Sequence, residues 1–225
     1  AGSSTRTYNI AGKSRSAIVF APATLGGPAP LAILLHGNGD TNTNFVQSLG
    51  FQAKASAQGF IFVAPQGITQ SFTYFNQPLS GIDWDPYRKT SEGNIDLPLL
   101  DAIKSDLGAS SSVDPKKIFV FGYSQGGYLA FRYGMDASAS LSCTAVCAAA
   151  NPLPGGNPNA LIASAARKLP VAMQIGTNDS AIANARSTRD ALQAASFPLQ
   201  YNEIQGAGHV PFPGDPGVPL GYCLG

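Results

Sequence analysis

A sharp turn between a strand and a helix is encoded at residues 118–133. The apolar, β-branched run 118–121 predicts a buried strand, and residues 127–133 have the composition of a helix. Between them lies Gly122-Tyr123-Ser124-Gln125-Gly126, in which only glycines fit beside the serine. The pattern predicts that Ser124 is exposed at the tip of the turn as a candidate acyl-transfer nucleophile. Because the chain contains 25 glycines, such a motif can arise by chance, and the flanking segments must support it.

Strand-like and helix-like segments alternate along nearly the whole chain. The predicted strands are residues 16–22, 31–35, 60–64, 118–121, 143–149, 171–175 and 199–204. The predicted helices are residues 44–58, 95–107, 160–168 and 182–195. This order is typical of the α/β class, in which helices cover both faces of a mostly parallel sheet. No linker or repeat divides the chain, so residues 1–225 are expected to form one catalytic domain.

The two histidines of the chain restrict the choice of a catalytic base. A serine nucleophile needs a base, usually histidine, and a carboxylate that orients that base. Hydrolases with this turn place them in the order serine, acid, histidine, so His36 lies on the wrong side of Ser124. His209 is therefore the candidate base. It follows the strand 199–204, at the strand end where active sites of parallel sheets lie.

A carboxylate between Ser124 and His209, placed after a strand, is expected to complete the group. Asp179 follows the strand 171–175 and is the preferred acid. A role for Asp179 limited to a turn or a helix cap is the competing interpretation. The other carboxylates considered are Asp136, Asp190 and Glu203.

Two backbone N–H groups are expected to stabilise the negative charge that develops on the substrate oxygen. One is the N–H of Gln125, directly after the nucleophile. The other is assigned to Asn38, in the loop after the strand 31–35, with Gly39 as the alternative. His36 is then expected to hold this loop in place by hydrogen bonding.

Six short motifs occur in a fixed order: Pro-Leu-x-x-x-Leu-His-Gly at 30–37, Gly-Phe-x-x-x-x-Pro-x-Gly at 59–67, Val-Asp-Pro-Lys-Lys-Ile at 113–118, Gly-x-Ser-x-Gly-Gly at 122–127, Gly-x-x-Asp at 176–179 and Gly-His-x-x-x-Pro-Gly at 208–214. Together they resemble the polyhydroxybutyrate depolymerase and feruloyl esterase group of α/β-hydrolases, which is carbohydrate esterase family 1-like. The resemblance implies an α/β-hydrolase fold and a secreted serine esterase that needs no metal or other cofactor. It also implies hydroxycinnamoyl esters of the plant cell wall or polyesters as substrates.

Two of these motifs leave the substrate open. The segments 36–40 and 122–127 also resemble the phospholipase/carboxylesterase and acyl-thioesterase group. A small-ester carboxylesterase or an acyl-thioesterase is therefore the alternative function, and a hydrolase-fold binding protein without catalysis is a third. No long insertion suggests a large lid.

The long segment 66–93 is dense in aromatic residues and is expected to be an irregular, functional loop. Its rings suit a cleft for an aromatic acyl group or a polymer segment, although they also suit packing of the loop onto the body. Trp84, which the family resemblance favours, Tyr74 and Phe75 are the candidate substrate-binding residues.

The content of charged residues and cysteines limits the classes of partner that the protein can bind and bears on the compartment in which it works. Charged residues make up only 12% of the chain, the net charge is +1 and no basic cluster occurs, so no nucleic-acid partner is expected. No apolar run suits a membrane span, and a monomer is expected. The chain starts at Ala1 without a leader, which fits either a secreted chain after signal-peptide removal or a trimmed one.

Cys143 and Cys147 lie too far apart on one strand to pair with each other. A disulfide bridge would therefore join Cys223 to either of them; three free thiols are the alternative.

Overall fold

The computed structural model describes residues 2–74, 77–153, 157–210 and 217–225, without the side chains of residues 72–80. The strands are β1 Gly2–Ile10, β2 Lys13–Ala21, β3 Ala29–Leu35, β4 Ile61–Pro65, β5 Ile68–Tyr74, β6 Gln77–Asp83, β7 Val113–Tyr123, β8 Cys143–Cys147, β9 Val171–Gly176 and β10 Leu199–Ile204. The helices are α1 Asn42–Ser48, α2 Phe51–Gln58, α3 Asp96–Gly108, α4 Gln125–Asp136, α5 Asn159–Ser164, α6 Ile182–Ala194 and α7 Gly217–Leu224.

Among the described residues, eight strands form one sheet in the order β1-β2-β4-β3-β7-β8-β9-β10. The six strands from β4 to β10 in this order are parallel, and β1 and β2 join them by antiparallel pairing. This confirms the predicted α/β class. The carboxyl ends of β3, β7, β9 and β10 lie at the same edge of the sheet, so the loops that follow these strands can meet there.

The parallel strands β3, β4, β8 and β9 are buried on both faces because helices cover each side, whereas the edge strand β10 is half-buried. On β3, Leu31, Ile33 and Leu35 pack into one core with α3, α4, α5 and α6. The intervening Ala32 and Leu34 point into a second core, which contains residues of α1, α2 and α7. A strand with apolar residues at every position is what this two-sided burial requires. No large lid occurs in the described part of the chain.

Several elements differ in kind or in length from the sequence prediction. The helix predicted over 44–58 is interrupted, since Gly50 adopts a left-handed conformation with φ of 63° and separates α1 from α2. The segment 66–93, predicted to be irregular, contains the antiparallel hairpin β5–β6. The helix predicted over 160–168 ends at Ser164, and the strand predicted over 143–149 ends at Cys147.

A disulfide joins β8 to the C-terminal helix α7. It links Cys143 and Cys223, which are 80 residues apart in the chain and have a Cα–Cα distance of 5.3 Å. Cys147 is a buried free thiol. The structure therefore settles the pairing that the sequence left open, and it excludes three free thiols.

Candidate active site

Ser124 occupies the turn between β7 and α4 in a strained backbone conformation, with φ of 52° and ψ of −121°. A non-glycine residue adopts positive φ at a cost, and such strain persists only where the surroundings impose it. The surroundings here are tight: a Cβ on Gly122 would collide with the carbonyl of Gly126, and one on Gly126 would collide with the carbonyls of Leu35 and His36. The glycines of the motif are therefore a steric requirement of the turn, as the sequence predicted.

The three side chains predicted as nucleophile, base and acid meet at the carboxyl edge of the sheet. The Ser124 Oγ lies 2.8 Å from the His209 Nε2, and the His209 Nδ1 lies 2.8 Å from the Asp179 Oδ2. A carboxylate can only accept, so Nδ1 carries the proton and Nε2 accepts from the serine hydroxyl. The Asp179 side chain is fully buried, whereas the His209 side chain is 43% exposed.

Asp179 is held by the turn that follows β9. Its Oδ1 accepts a 2.9 Å hydrogen bond from the N–H of Ala181, just before α6 begins, which leaves Oδ2 for His209. The same residue therefore shapes the turn and contacts the histidine, so a role in the turn does not exclude a role as the acid.

The other carboxylates considered for this role are engaged elsewhere. Asp136 accepts from Arg132, and Glu203 accepts from Arg186, each within 2.8 Å. Asp190 lies on α6 and pairs with Arg189. Among the described residues, Asp179 is the carboxylate that contacts His209.

The two predicted oxyanion donors belong to segments that lie next to Ser124. Gln125 is the first residue of α4, and its N–H has no partner among the described residues. The loop after β3 also comes close to the nucleophile, since a Cβ on Gly37 would lie 3.5 Å from the Ser124 Cβ. The N–H of Gly39 donates to the carbonyl of Ile82 at 2.8 Å, whereas that of Asn38 has no partner in the described chain. The geometry thus favours Asn38 over Gly39.

His36 and Trp84 form the base of this loop. The His36 Nε2 accepts the N–H of Gly67 at 3.0 Å, so Nδ1 carries the proton and donates to the carbonyl of Gly37 at 2.7 Å. Burial lowers the pKa of His36, which favours this neutral form. The structural role predicted for His36 is confirmed.

The comparison with known families supplies the context for this geometry. The phospholipase/carboxylesterase family model matches residues 23–210. The chain belongs to this family. The match includes Ser124, Asp179, His209 and the loop after β3, so the whole proposed site lies within the shared region.

Two curated relatives and one solved structure are similar to this member of the phospholipase/carboxylesterase family. A bifunctional acetylxylan esterase/xylanase from Neocallimastix patriciarum is 28% identical over 170 residues, covering 75% of this chain and 22% of the relative. S-formylglutathione hydrolase from Mus musculus is 28% identical over 131 residues, covering 52% of this chain and 44% of the relative. The chain thus spans less than half the length of either.

The solved structure is that of an acetyl xylan esterase from Aspergillus awamori. It superposes with a TM-score of 0.75 over 97% of this chain and 99% of that chain, at 14% identity. Similarity at this level of identity shows a shared fold, and it supports the α/β-hydrolase architecture that the sequence motifs implied.

Trp84 does not lie where the sequence analysis placed it. Its side chain is fully buried, and its Nε1 donates a 2.9 Å hydrogen bond to the carbonyl of His36. A ring with no accessible surface cannot line a substrate cleft, so this prediction is corrected. Burial is favoured because the indole N–H finds a carbonyl partner inside the protein. Trp84 supports the loop that carries Asn38. The side chain of Tyr74 and all of Phe75 lie outside the described residues.

Three contacts near the site were not anticipated from the sequence. Asp83 accepts a 2.6 Å hydrogen bond from the Asn38 side chain. The Tyr123 ring lies 5.5 Å from that of His209, and its hydroxyl donates to the His209 carbonyl at 3.4 Å. The Gln125 side chain donates to the Tyr87 hydroxyl at 2.8 Å. Of the residues that the sequence analysis did not name for the site, Asp83, Tyr87 and Tyr123, only Tyr123 carried a sequence signal, because it lies inside the Gly-x-Ser-x-Gly motif.

Neither a metal-binding cluster nor a membrane-spanning helix occurs in the described residues. Within residues 2–74, 77–153, 157–210 and 217–225, no three His, Cys, Asp or Glu side chains converge as a metal site would require. No helix in the same ranges has the length and apolar character needed to cross a membrane.

Proposed function

We propose that this protein is a secreted serine carboxylic-ester hydrolase, in which Ser124, His209 and Asp179 act as nucleophile, base and orienting acid. The observation that carries the proposal is the continuous contact from Ser124 Oγ through His209 to the buried Asp179 carboxylate, at 2.8 Å in each step. A strained turn that exposes this serine supports the same role, because backbone strain concentrates at functional sites.

In the first half-reaction, the Ser124 oxygen attacks the ester carbonyl carbon while His209 Nε2 takes the hydroxyl proton. Asp179 keeps the imidazole in the tautomer that can accept this proton, and it stabilises the imidazolium that forms. The negative charge on the carbonyl oxygen is received by the N–H groups of Gln125 and Asn38, whose hydrogen atoms have no partner in the described chain. The imidazolium then protonates the departing alcohol, and the acyl group stays on Ser124.

In the second half-reaction, His209 accepts a proton from water, which attacks the acyl-enzyme and releases the acid. Water can reach this group because the His209 side chain is 43% exposed. The same two N–H groups stabilise the second oxyanion, and the proton on His209 returns to Ser124.

For the substrate, the proposal is an acyl ester of a plant cell-wall polymer. The feruloyl esterase resemblance of the motifs supports a hydroxycinnamoyl ester, and the acetylxylan esterase relative supports an acetyl ester. The sequence resemblance also implied a polyester of the polyhydroxyalkanoate type, which is the alternative substrate in this proposal.

A secreted location is part of the proposal. The disulfide between Cys143 and Cys223 supports it, because such bridges persist in oxidising compartments. The low content of charged residues, 12%, is also consistent with secretion.

A thioesterase activity is the second candidate function. It is favoured by the match to S-formylglutathione hydrolase, a name that denotes a thioester substrate. An ester releases an alcohol and a thioester releases a thiol, but both reactions use the same nucleophile and oxyanion donors. The geometry of the described site is therefore compatible with either activity.

Initial rates on a substrate panel test the proposal. The panel contains methyl ferulate, p-nitrophenyl acetate and longer p-nitrophenyl esters, acetylated xylan, polyhydroxybutyrate film and an acyl-CoA. The expected result is hydrolysis of p-nitrophenyl acetate and of at least one cell-wall ester, with loss of both activities in Ser124→Ala. Preference for the acyl-CoA would favour the second candidate. Absence of activity on every member by folded protein would overturn both.

A further inference from the structure

A cavity of about 650 Å³ lies beside α4, away from the nucleophile. It is bounded by the segment after β6, by the second half of α4 and by α5. Its volume falls in the range of about 300–1,000 Å³ that is usual for small-molecule sites. None of Ser124, His209 and Asp179 lines it. The cavity is therefore separate from the group that performs the proposed chemistry.

One side chain connects this cavity to the proposed active site. Tyr87 lines the cavity, and its hydroxyl accepts a 2.8 Å hydrogen bond from the Gln125 side chain. Gln125 directly follows the nucleophile and supplies one oxyanion donor. Arg132, which also lines the cavity, lies seven residues after Gln125 on α4, which corresponds to about 10 Å of helix. A molecule that reaches from Ser124 into the cavity would thus have to be longer than a small ester.

A buried, ordered arginine forms part of the cavity wall. The Arg132 side chain is only 5% exposed. Its Nε donates to Asp136 at 2.6 Å, and one terminal nitrogen donates to the carbonyl of Tyr87 at 3.3 Å. Held in this way, the planar guanidinium presents its remaining donors in a fixed direction, which suits hydrogen bonding to hydroxyl oxygens.

The charges of the wall balance, which bears on the class of ligand. Arg132 and Lys89 are cationic, and Asp136 and Glu92 are anionic. A free anion or cation would meet like charges on the wall. An alkyl chain would remove water from these charged groups without offering them new hydrogen bonds. A neutral ligand with many hydroxyl groups avoids both penalties.

The remaining wall residues are of two kinds. Leucines provide apolar surface, and Thr90, Ser91 and Ser164 provide hydroxyl groups; the leucines are Leu97, Leu153 and Leu161. A sugar ring has apolar C–H faces and a rim of hydroxyls, so it matches both kinds. We infer that this cavity binds a sugar unit of the polysaccharide whose ester is presented to Ser124. This inference rests on the proposed function and specifies its substrate as an ester carried by a polysaccharide.

Two exposed alanines on α5 provide a matched test. Ala160 lines the cavity, whereas Ala163 lies on the same helix outside it, and both are solvent-exposed. In Ala160→Trp the indole would occupy part of the cavity; in Ala163→Trp it would point elsewhere. For each variant, kcat/KM is measured on acetylated xylo-oligosaccharides and on p-nitrophenyl acetate. The quantity compared is the ratio of the two values.

The expected result is a fall of about tenfold in this ratio for Ala160→Trp, dominated by a higher KM for the oligosaccharide, as for a lost pocket contact. Ala163→Trp should keep the wild-type ratio. An unchanged ratio in Ala160→Trp, or an equal fall in both variants, would overturn the inference while leaving the esterase proposal intact.

A binding measurement makes the test independent of turnover. Titration calorimetry of unesterified xylo-oligosaccharide into Ser124→Ala protein should show binding, which Ala160→Trp weakens and Ala163→Trp does not. Failure of the oligosaccharide to bind would overturn the inference. Binding without ester hydrolysis by the wild type would support the cavity assignment and refute the proposed function.

Discussion

The Asn38 side-chain amide donates a 2.6 Å hydrogen bond to the Asp83 carboxylate. Two further bonds join the same segments: Gly39 donates its N–H to Ile82, and Trp84 donates its indole N–H to His36. The end of β6 thus fixes the loop after β3 at three points. Because a backbone N–H stabilises an oxyanion only when it is correctly aimed, this attachment sets the position of the proposed Asn38 donor.

The first prediction concerns this attachment. Asn38→Ala removes the side-chain bond but keeps the backbone N–H, and Asp83→Ala removes the acceptor. Each should lower kcat by about 10- to 100-fold on p-nitrophenyl acetate, with a small change in KM, because a donor displaced by about 1 Å loses transition-state contact. The double variant should be no worse than the poorer single variant. Additive losses would show that the two residues act separately.

The second prediction follows from the pKa of Asp83. Burial raises it to about 6, and hydrogen bonds from Trp84 and Asn38 oppose the rise. The folded state therefore holds this proton more tightly than the unfolded state, so the associated stability is present below about pH 4 and is lost as the pH rises through about 6. Asp83→Asn does not titrate. Denaturation from about pH 4 to 7 should show the wild type losing stability relative to this variant; parallel curves would contradict the prediction.

The third prediction distinguishes the carboxylates. Asp179→Asn should lower kcat by about 10⁴-fold, since an amide in place of the carboxylate favours the wrong histidine tautomer. Asp190→Asn, on an exposed position of α6, is the matched control and should retain wild-type rates. Retention of most activity in Asp179→Asn would remove it from the proposed mechanism.

The fourth prediction concerns the bridge between β8 and α7. Cys223→Ala opens a link between residues 80 apart, which should lower the free energy of unfolding by about 4 kcal/mol. A thiol reductant should destabilise the wild type by a similar amount and have no effect on Cys223→Ala. The control is Cys147→Ala, which removes the free thiol and should remain sensitive to reductant. A wild type whose stability does not change with the reductant would contradict the pairing of Cys143 with Cys223.

The central strands were predictable because both of their faces are buried. Residues 31–35 lie within β3 and residues 171–175 lie within β9, and their mostly apolar sequences mark both strands clearly. β1 was missed because Gly2–Ile10 is an exposed edge strand of polar residues, stabilised by pairing with β2. The break between α1 and α2 was missed because it depends on the conformation of Gly50.

The meeting of Ser124, Asp179 and His209 was predictable from chain order, from strand ends and from the scarcity of histidine. The roles of Asp83 and Tyr87 were not, because both act through contacts with residues about 40 positions away in the chain. Trp84 was misjudged for the same reason: an aromatic residue in a long loop suggests a cleft wall until its buried carbonyl partner is known.

Labelling with a fluorophosphonate probe, followed by peptide mapping, tests the proposed nucleophile most directly. Such a probe reacts with an activated serine and leaves an ordinary hydroxyl unmodified. The proposed mechanism predicts stoichiometric modification of Ser124 in folded protein, loss of ester hydrolysis in parallel, and no modification in His209→Ala or in unfolded protein. Folded wild-type protein that is unlabelled at Ser124, or labelling that persists in His209→Ala, would contradict it.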